Sequence, residues 1–413
     1  MREERRNYLI HSIVLTFVVV TSLLAQTTLR IMTYNLLFYD GQDRNTYFNT
    51  VVEDIDPDLL VVQEMLTPSA AETFKTDALN NEYHTIDYHD GFDMDSHVYY
   101  NPFVLKFVSA NYIETNLRDI AEYKFEIPAT DQVFWIYSLH LKAGSDDDDA
   151  LMRFREASKL RDHLNEHPSG TPFIVAGDFN VYNAYENAYQ ELIESQDDND
   201  GRLFDPIDRA GYWHNNANDA DIHTQSTRTT YFGDGSTGGM DDRFDLILVS
   251  ESLLDNVQNG SYTAYGNDGN HFNLAINSGT NSAVSREVAN ALHQASDHLP
   301  VVCEITFSPN ALHESEETRP PGQSHLFQNF PNPFNPVTSI RYIVSESDFV
   351  QLSIYNLNGQ KIRTLVNRKQ AAGEYTQKWD GADDRGRPVS SGIYFYELRT
   401  SQSGQRQKMI LMR

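Results

Sequence analysis

Short apolar runs separated by polar, turn-rich stretches fill residues 28–307. The runs are Leu29 to Leu36, Leu59 to Gln63, Val133 to Leu141, Pro172 to Ala176, Phe244 to Val249 and Leu299 to Phe307. Their length and turn-rich boundaries predict strands. Between two of them, Ala150 to Asn165 carries Leu151, Phe154, Leu160 and Leu164 near helical spacing and predicts a helix. Arg153 and Arg155 near its start read as a solvated helix face. The layout is mixed α/β.

Beyond it the pattern changes. Residues 309–325 are Pro-rich and charged with little to bury, and predict a linker. From Leu326 onward, Thr338 to Val344, Val350 to Tyr355 and Gly392 to Thr400 alternate with Asn-Gly, Asp-Gly and Ser-Gly turns, without a helical pattern. A small all-β sandwich over 326–413 is expected. At the other end, Arg2, Arg5 and Arg6 precede an apolar run from Ile13 to Ala25, which predicts a cleaved secretory signal peptide over 1–25. The run is too short for a standard membrane span, so no stable span is expected after processing. An uncleaved anchor is the competing reading, because Leu23 is not the small residue a cleavage site prefers.

Charge narrows the partners. The formal net charge is −27, and residues 27–325 hold 17 Lys and Arg against 50 Asp and Glu, a formal −33. A domain this acidic has no broad basic face for nucleic acid, so a polyanion must be held by metal and a few local cations. Cys303 is the sole cysteine, so no intrachain disulfide exists. It sits in an apolar run and reads as a small buried hydrophobe.

The candidate chemistry lies where these runs end or begin. Asn35 follows Ile31-Met32-Thr33-Tyr34, and Glu64 follows Leu60-Val61-Val62-Gln63. His140 follows Ile136-Tyr137-Ser138-Leu139, and Asp178 and Asn180 follow Ile174-Val175-Ala176-Gly177. Asp245 opens Leu246 to Val249, and Asp297-His298 precede Leu299. One carboxylate at a strand end is ordinarily a cap or turn residue. Six such positions, each able to serve a metal or a phosphate, are not explained by turns. Gly177-Asp178-Phe179-Asn180 carries most, because glycine permits close backbone approach and two oxygen-bearing side chains two apart on a tight turn can face one ion. The acidic run Asp146–Asp149 is a candidate Ca²⁺ loop or a solvated one. Lys142 is a candidate phosphate contact, and residues 267–273 form a polar loop able to reach substrate.

In this order Thr33-Tyr34-Asn35, Gln63-Glu64, Ser138-Leu139-His140-Leu141, Gly177-Asp178-Phe179-Asn180, Arg243-Phe244-Asp245 and Ser296-Asp297-His298 resemble the motifs of the endonuclease/exonuclease/phosphatase superfamily. The resemblance covers 28–307, within a catalytic domain expected over 27–308, and implies a four-layer α/β sandwich, two packed mixed β-sheets flanked by helices, with the site at one end. It implies a divalent ion, Mg²⁺ or Mn²⁺, held by Asn35, Glu64 and Asp297. Asp178 and Asn180 would position water and phosphate. His298, oriented by Asp245, would be base or electrostatic partner, and His140 would face a phosphate or leaving oxygen. The expected function is a secreted, monomeric phosphodiesterase hydrolysing DNA, and RNA as well. Competing readings are a sphingomyelinase-like or other phosphate-ester hydrolase and an inactive binding protein of the same fold.

Residues 326–413 resemble the C-terminal sorting domain of type IX secretion cargo, through Phe327 to Pro336, Ser353 to Gln360, Trp379-Asp380-Gly381 and Ser391 to Phe395. This implies an immunoglobulin-like sandwich engaging an outer-membrane secretion machinery, with cell-surface or secreted localisation. A generic adhesion domain is its alternative.

Overall fold

Strands that bury both faces place successive side chains in two different cores, and the apolar runs do this. In the computed structural model, β1 (Thr27–Tyr39) sends Leu29 and Ile31 into one core and Met32, Tyr34 and Leu36 into another. β2 (Leu59–Met65) splits in the same way, Leu59 and Val61 against Leu60 and Val62. The structure describes residues 26–41, 43–309, 324–327, 329, 334, 336–357, 359–401 and 404–411. The expected signal peptide, most of the expected linker, and residues 330–333 and 335 of the opening Pro-Asn run lie outside them.

The first unit has two six-stranded sheets. One runs β11 (Thr263–Ala264), β12 (Val301–Phe307), β1, β2, β4 (Asp95–Tyr100), β3 (His84–Thr85). The other runs β5 (Lys106–Ile113), β6 (Ile120–Ile127), β7 (Gln132–His140), β8 (Phe173–Asp178), β10 (Asp245–Ser250), β9 (Leu203–Phe204). β1–β2 and β7–β8 are parallel, while β1–β12 and β8–β10 are antiparallel, so both sheets are mixed.

Three cores separate four layers. Leu29, Ile31, Leu59 and Val61 meet Phe134, Ile136, Ile174, Ala176, Ile247 and Val249 between the sheets, where Cys303 is also buried. Outside the first sheet, Met32, Tyr34, Leu60 and Val62 pack on Phe48 and Val51 of the helix Asn45–Ile55 and on Leu292 of the helix Arg286–Ala295. Outside the second, Tyr137, Leu139, Phe173 and Val175 pack on Leu160 and Leu164 of the helix Asp147–Asn165. Each such side chain contributes about 1.5–3 kcal/mol when fully buried.

That last helix starts three residues before the spacing predicts, because Asp146 caps it and Asp147, Asp148 and Asp149 occupy its first turn, where the helix dipole favours acids. The acidic run is thus a helix start. The buried side also differs. Leu151 is 44% exposed, while Arg153 is 1% exposed, bonding Glu186 at 2.5 Å and the carbonyls of Lys142 and Gly144 at 2.7 Å. An arginine with three donors spent on these partners replaces the solvated side chain that its type predicts. Lys142 pairs with Asp149 at 2.9 Å and does not line the cavity described below. The polar loop is also folded onto its own unit, since Asn267 Nδ2 donates to Ala220 and His223 carbonyls and His271 lies between Asp268 and Ser278 O.

The second unit, divided from the first between residues 311 and 312, is all β. One sheet runs β13 (His325–Leu326), β14 (Thr338–Val344), β17 (Gly373–Trp379), and the other β16 (Lys361–Gln370), β15 (Asp348–Asn356), β18 (Gly392–Arg399), β19 (Gly404–Leu411). Ile340, Tyr342, Leu352, Ile354, Tyr396 and the fully buried Trp379 share one core between them. Among the described residues no helix is long and apolar enough to cross a membrane.

Candidate active site

The faces that the two sheets turn toward each other change from apolar to polar at one end of the sandwich. Along β1 the inner positions run Leu29, Ile31, then Thr33, Asn35; along β2, Leu59, Val61, then Gln63. β7 runs Phe134, Ile136, then Ser138, His140, and β8 runs Ile174, Ala176, then Asp178. β10 is antiparallel to β8, so its polar residue, Asp245, comes first. β12 is antiparallel to β1, so Asp297 and His298 precede it. Period-two alternation and strand direction therefore gather the six segments at one place.

Gln63 joins the sheets under the site, donating through Nε2 to Thr33 Oγ at 3.1 Å and to Ser138 Oγ at 3.0 Å. Above it Glu64 has a left-handed backbone, φ 61°, where the pairing of β2 shifts register on both sides. Such a conformation in a non-glycine residue costs about 1–3 kcal/mol and occurs where surrounding structure imposes it. Here the bulge re-aims the side chain. Glu64 Oε2 accepts Phe38 N–H at 2.8 Å and Oε1 accepts Asn35 Nδ2 at 3.0 Å.

Asp178 is the centre. Its Oδ2 accepts Asn35 Nδ2 at 3.1 Å and lies 3.5 Å from His140 Nε2 and 3.8 Å from His298 Nε2; its Oδ1 accepts Asn180 N–H at 3.0 Å. His140 Nε2 is also 3.8 Å from Glu64 Oε1. Gly177 sets this approach, because a Cβ there would meet Leu139 O at 2.0 Å. Asn180 Nδ2 donates to Leu141 O.

His298 Nδ1 is 2.7 Å from Asp245 Oδ2, and both are buried. Asp245 is itself fixed by Thr224, whose hydroxyl accepts the N–H groups of Phe244 and Asp245 at 3.1 Å. Asp297 Oδ2 accepts Ser236 N–H at 2.6 Å and Gln225 Nε2 at 3.3 Å, while its Oδ1 is buried with no partner among the described residues. Ser296 Oγ donates to Asn35 O and accepts His298 N–H, tying this segment to β1.

Burial governs the protonation of the centre. It raises the Glu64 carboxyl, partly countered by Asn35 and His298. It also lifts Asp178 to about 7, opposed by His298 and reinforced by Asp245 and Glu64. Burial, with Arg118 and His298, holds His140 well below its ordinary value and keeps it neutral. Burial alone lowers His298, but Asp245, Asp297 and Asp178 outweigh it and the result is well above the usual imidazole value. The Gln225 side-chain amide lies 2.6 Å from His298 Nε2, within hydrogen-bond reach of the ring. Three carboxylates around one ring favour its charged form.

Glu64, His140, Asp178, Asn180, Asp297 and His298 line one cavity of about 630 Å³, while Asn35 and Asp245 stand behind them. All eight sequence-predicted residues thus meet at one end of the sandwich. Two carboxylates with free electron pairs, one of them an unpartnered buried oxygen, suit a hard divalent cation. Asn35, the third expected ligand, has its Oδ1 accepting Leu37 N–H at 2.9 Å and its Nδ2 donating to Glu64 and Asp178. Gln225, Ser236 and Ser296 come from segments with no periodic pattern. The same wall also carries His214, Asp241 and Asp242, whose ligand atoms lie within 4.8 Å of one another.

Residues 32–298 match the model of the Endonuclease/Exonuclease/phosphatase family, and residues 336–404 are similar to the FlgD Ig-like domain. No curated protein matches the chain. Among solved structures it is similar to truncated Caenorhabditis elegans TDP2, at 17% identity and TM-score 0.46, over 68% of this chain and 98% of that one. The human Nocturnin catalytic domain is similar at 17% identity and TM-score 0.46, over 68% and 95%. A Bacteroides thetaiotaomicron protein of the same family is similar at 19% and 0.44, over 69% and 99%. With the family model spanning 32–298, the chain belongs to the Endonuclease/Exonuclease/phosphatase family of phosphoester hydrolases.

Proposed function

We propose that this protein is an exported, Mg²⁺-dependent phosphodiesterase that hydrolyses nucleic acid, DNA foremost, and acts as a monomer. The observation that carries the reading is the convergence on Asp178 Oδ2 of Asn35, His140 and His298, at 3.1, 3.5 and 3.8 Å, from three separate segments. Phosphodiester hydrolysis needs charge neutralisation and in-line geometry more than covalent help, and a divalent cation held by the buried carboxylates, beside two imidazoles, would supply both.

Glu64 and Asp297 would hold the cation, oriented by Asn35, Phe38 N–H, Ser236 N–H and Gln225. When bound, a divalent ion neutralises phosphate charge and acidifies a coordinated water. Asp178 and Asn180 orient the attacking water. His298, its Nδ1–H fixed on Asp245, presents Nε2 to the reacting phosphate. Neutral His140 donates a hydrogen bond from the other side.

The second unit serves export and attachment as a type IX sorting domain, and the leader takes the chain through the periplasm. Among the described residues the core of the second unit holds no cluster of buried acids and imidazoles, which supports a transport role.

The test is hydrolysis by the full chain of plasmid DNA, single-stranded DNA, RNA, sphingomyelin and bis-p-nitrophenyl phosphate, with Mg²⁺ and with EDTA. Mg²⁺-dependent cleavage of DNA is expected. Intact DNA with phosphocholine released from sphingomyelin would transfer the assignment to lipid headgroups, and activity insensitive to both EDTA and Glu64→Ala would end it.

A further inference from the structure

Beside the site, residues 182–185 and 211–214 form a short antiparallel ladder. His214 N–H donates to Tyr182 O at 3.1 Å, Ala184 N–H donates to Gly211 O at 2.9 Å, and Asn183 pairs with Tyr212. The ladder carries aromatic rings outward. At its inner end Tyr182 lines the cavity with Phe244 and His214, its ring 5.0 and 5.3 Å from theirs. At its outer end Tyr185 and Tyr212 have ring centroids 5.1 Å apart and are 56% and 69% exposed. Across the cavity lining, Phe38 is 43% exposed while its N–H binds Glu64.

The charge of the same region points the same way. The cavity lining includes Glu64, Asp178, Asp241, Asp242 and Asp297, and among the described residues no Lys or Arg. Duplex DNA presents mainly phosphates to a protein surface, and its affinity comes from Lys and Arg that neutralise them. The cavity lining lacks that means. A single strand offers base faces, and stacking on aromatic rings works without cationic side chains and with little regard to sequence.

We propose that Tyr185 and Tyr212 form a base-stacking platform that receives the bases flanking the scissile phosphate of a single-stranded nucleic acid. This rests on the nucleolytic reading above and specifies its substrate. Tyr182 and His214 continue the platform to the cavity, so the strand is led from stacked bases to the reacting phosphate. The two outer rings lie outside the cavity lining and take no part in the chemistry.

The test compares the full chain with a Tyr185→Ala/Tyr212→Ala variant and a Tyr185→Phe/Tyr212→Phe variant, using fluorescein-labelled oligothymidylate, a self-complementary duplex of equal length, and bis-p-nitrophenyl phosphate. Anisotropy should show tighter binding of the single strand than of the duplex. The alanine variant should lose about tenfold or more of single-strand affinity, and the phenylalanine variant should retain it. Hydrolysis of bis-p-nitrophenyl phosphate, too small to reach the tyrosines, should be the same in all three. Equal oligothymidylate binding by wild type and alanine variant, or preference for duplex, overturns the platform while leaving the nuclease reading intact. Absence of any nucleic-acid binding or cleavage, with bis-p-nitrophenyl phosphate still hydrolysed, overturns both the platform and the nucleic-acid assignment but not the phosphodiesterase.

Discussion

Asp178 and Asp245 are register partners at the ends of β8 and β10, so two carboxylates face each other inside the protein. With Glu64 close by, burial and like charge leave the metal-free centre poorly compensated. Asp178→Asn should therefore raise the stability of the EDTA-treated protein, by about 1 kcal/mol, while lowering phosphodiesterase turnover by about 10²-fold or more. Thermal melts and bis-p-nitrophenyl phosphate assays check the pair of effects. A variant that is less stable yet fully active would remove Asp178 from the reacting group.

Protons and metal should compete at this centre. Folding raises the pKa of Glu64 and Asp178, so the folded state binds extra protons; their stabilising effect is present at low pH and is lost as pH rises through the folded values, for Asp178 about 7. A cation takes the protons' place. The rise in melting temperature on adding MgCl₂ should accordingly grow between about pH 5 and about pH 8. His140 behaves oppositely, because its folded value is depressed: its contribution is present above the ordinary imidazole value of about 6.5 and is lost as pH falls below it. Calorimetry with and without Mg²⁺ separates the two trends.

Asp245→Asn keeps the shape next to His298 but removes the charge that holds its Nδ1 proton. The His298 pKa should fall, and turnover should drop by about 10²-fold or more with a smaller change in KM. Nitrogen-detected titration of the ring follows the first effect and steady-state kinetics the second. An unchanged His298 titration would show that Asp297 and Asp178 alone maintain the ring.

Arg243, two residues before Asp245, has a different task. Its guanidinium grips Asp205 through two bonds of 2.8 and 3.1 Å, and both side chains are buried. Arg243→Met leaves an unpaired buried carboxylate and should cost about 3–5 kcal/mol. Lysine should not rescue it, having a single point charge in place of a planar fork. Urea denaturation of both single variants and the double variant Arg243→Met/Asp205→Leu checks this; the double should lose much less than the sum.

The strands and their polar ends were legible because a strand buried on both faces reads as an unbroken apolar run, and its end is marked by the first residue with a metal- or phosphate-binding group. Helix sides were less legible. Arg153 lies inside because Glu186 and two carbonyls satisfy it, and no apolar spacing announces a buried ion pair. The run Asp146–Asp149 could have been read as a helix start from its place just ahead of the periodic segment. Gln225 and Ser236 were invisible because loop residues reach Asp297 and His298 only through tertiary folding, and the left-handed turn at Glu64 leaves no mark in composition.

The link from Thr33 through Gln63 to Ser138 crosses from one sheet to the other directly beneath the reacting groups. Neither half of the sandwich owns a complete set of them: Asn35 and Glu64 belong to one sheet, His140, Asp178 and Asp245 to the other. The residues are consequently brought together only where the two sheets pack. A chain whose two sheets have not yet packed together holds only fragments of the site, and phosphoester hydrolysis must wait for that packing.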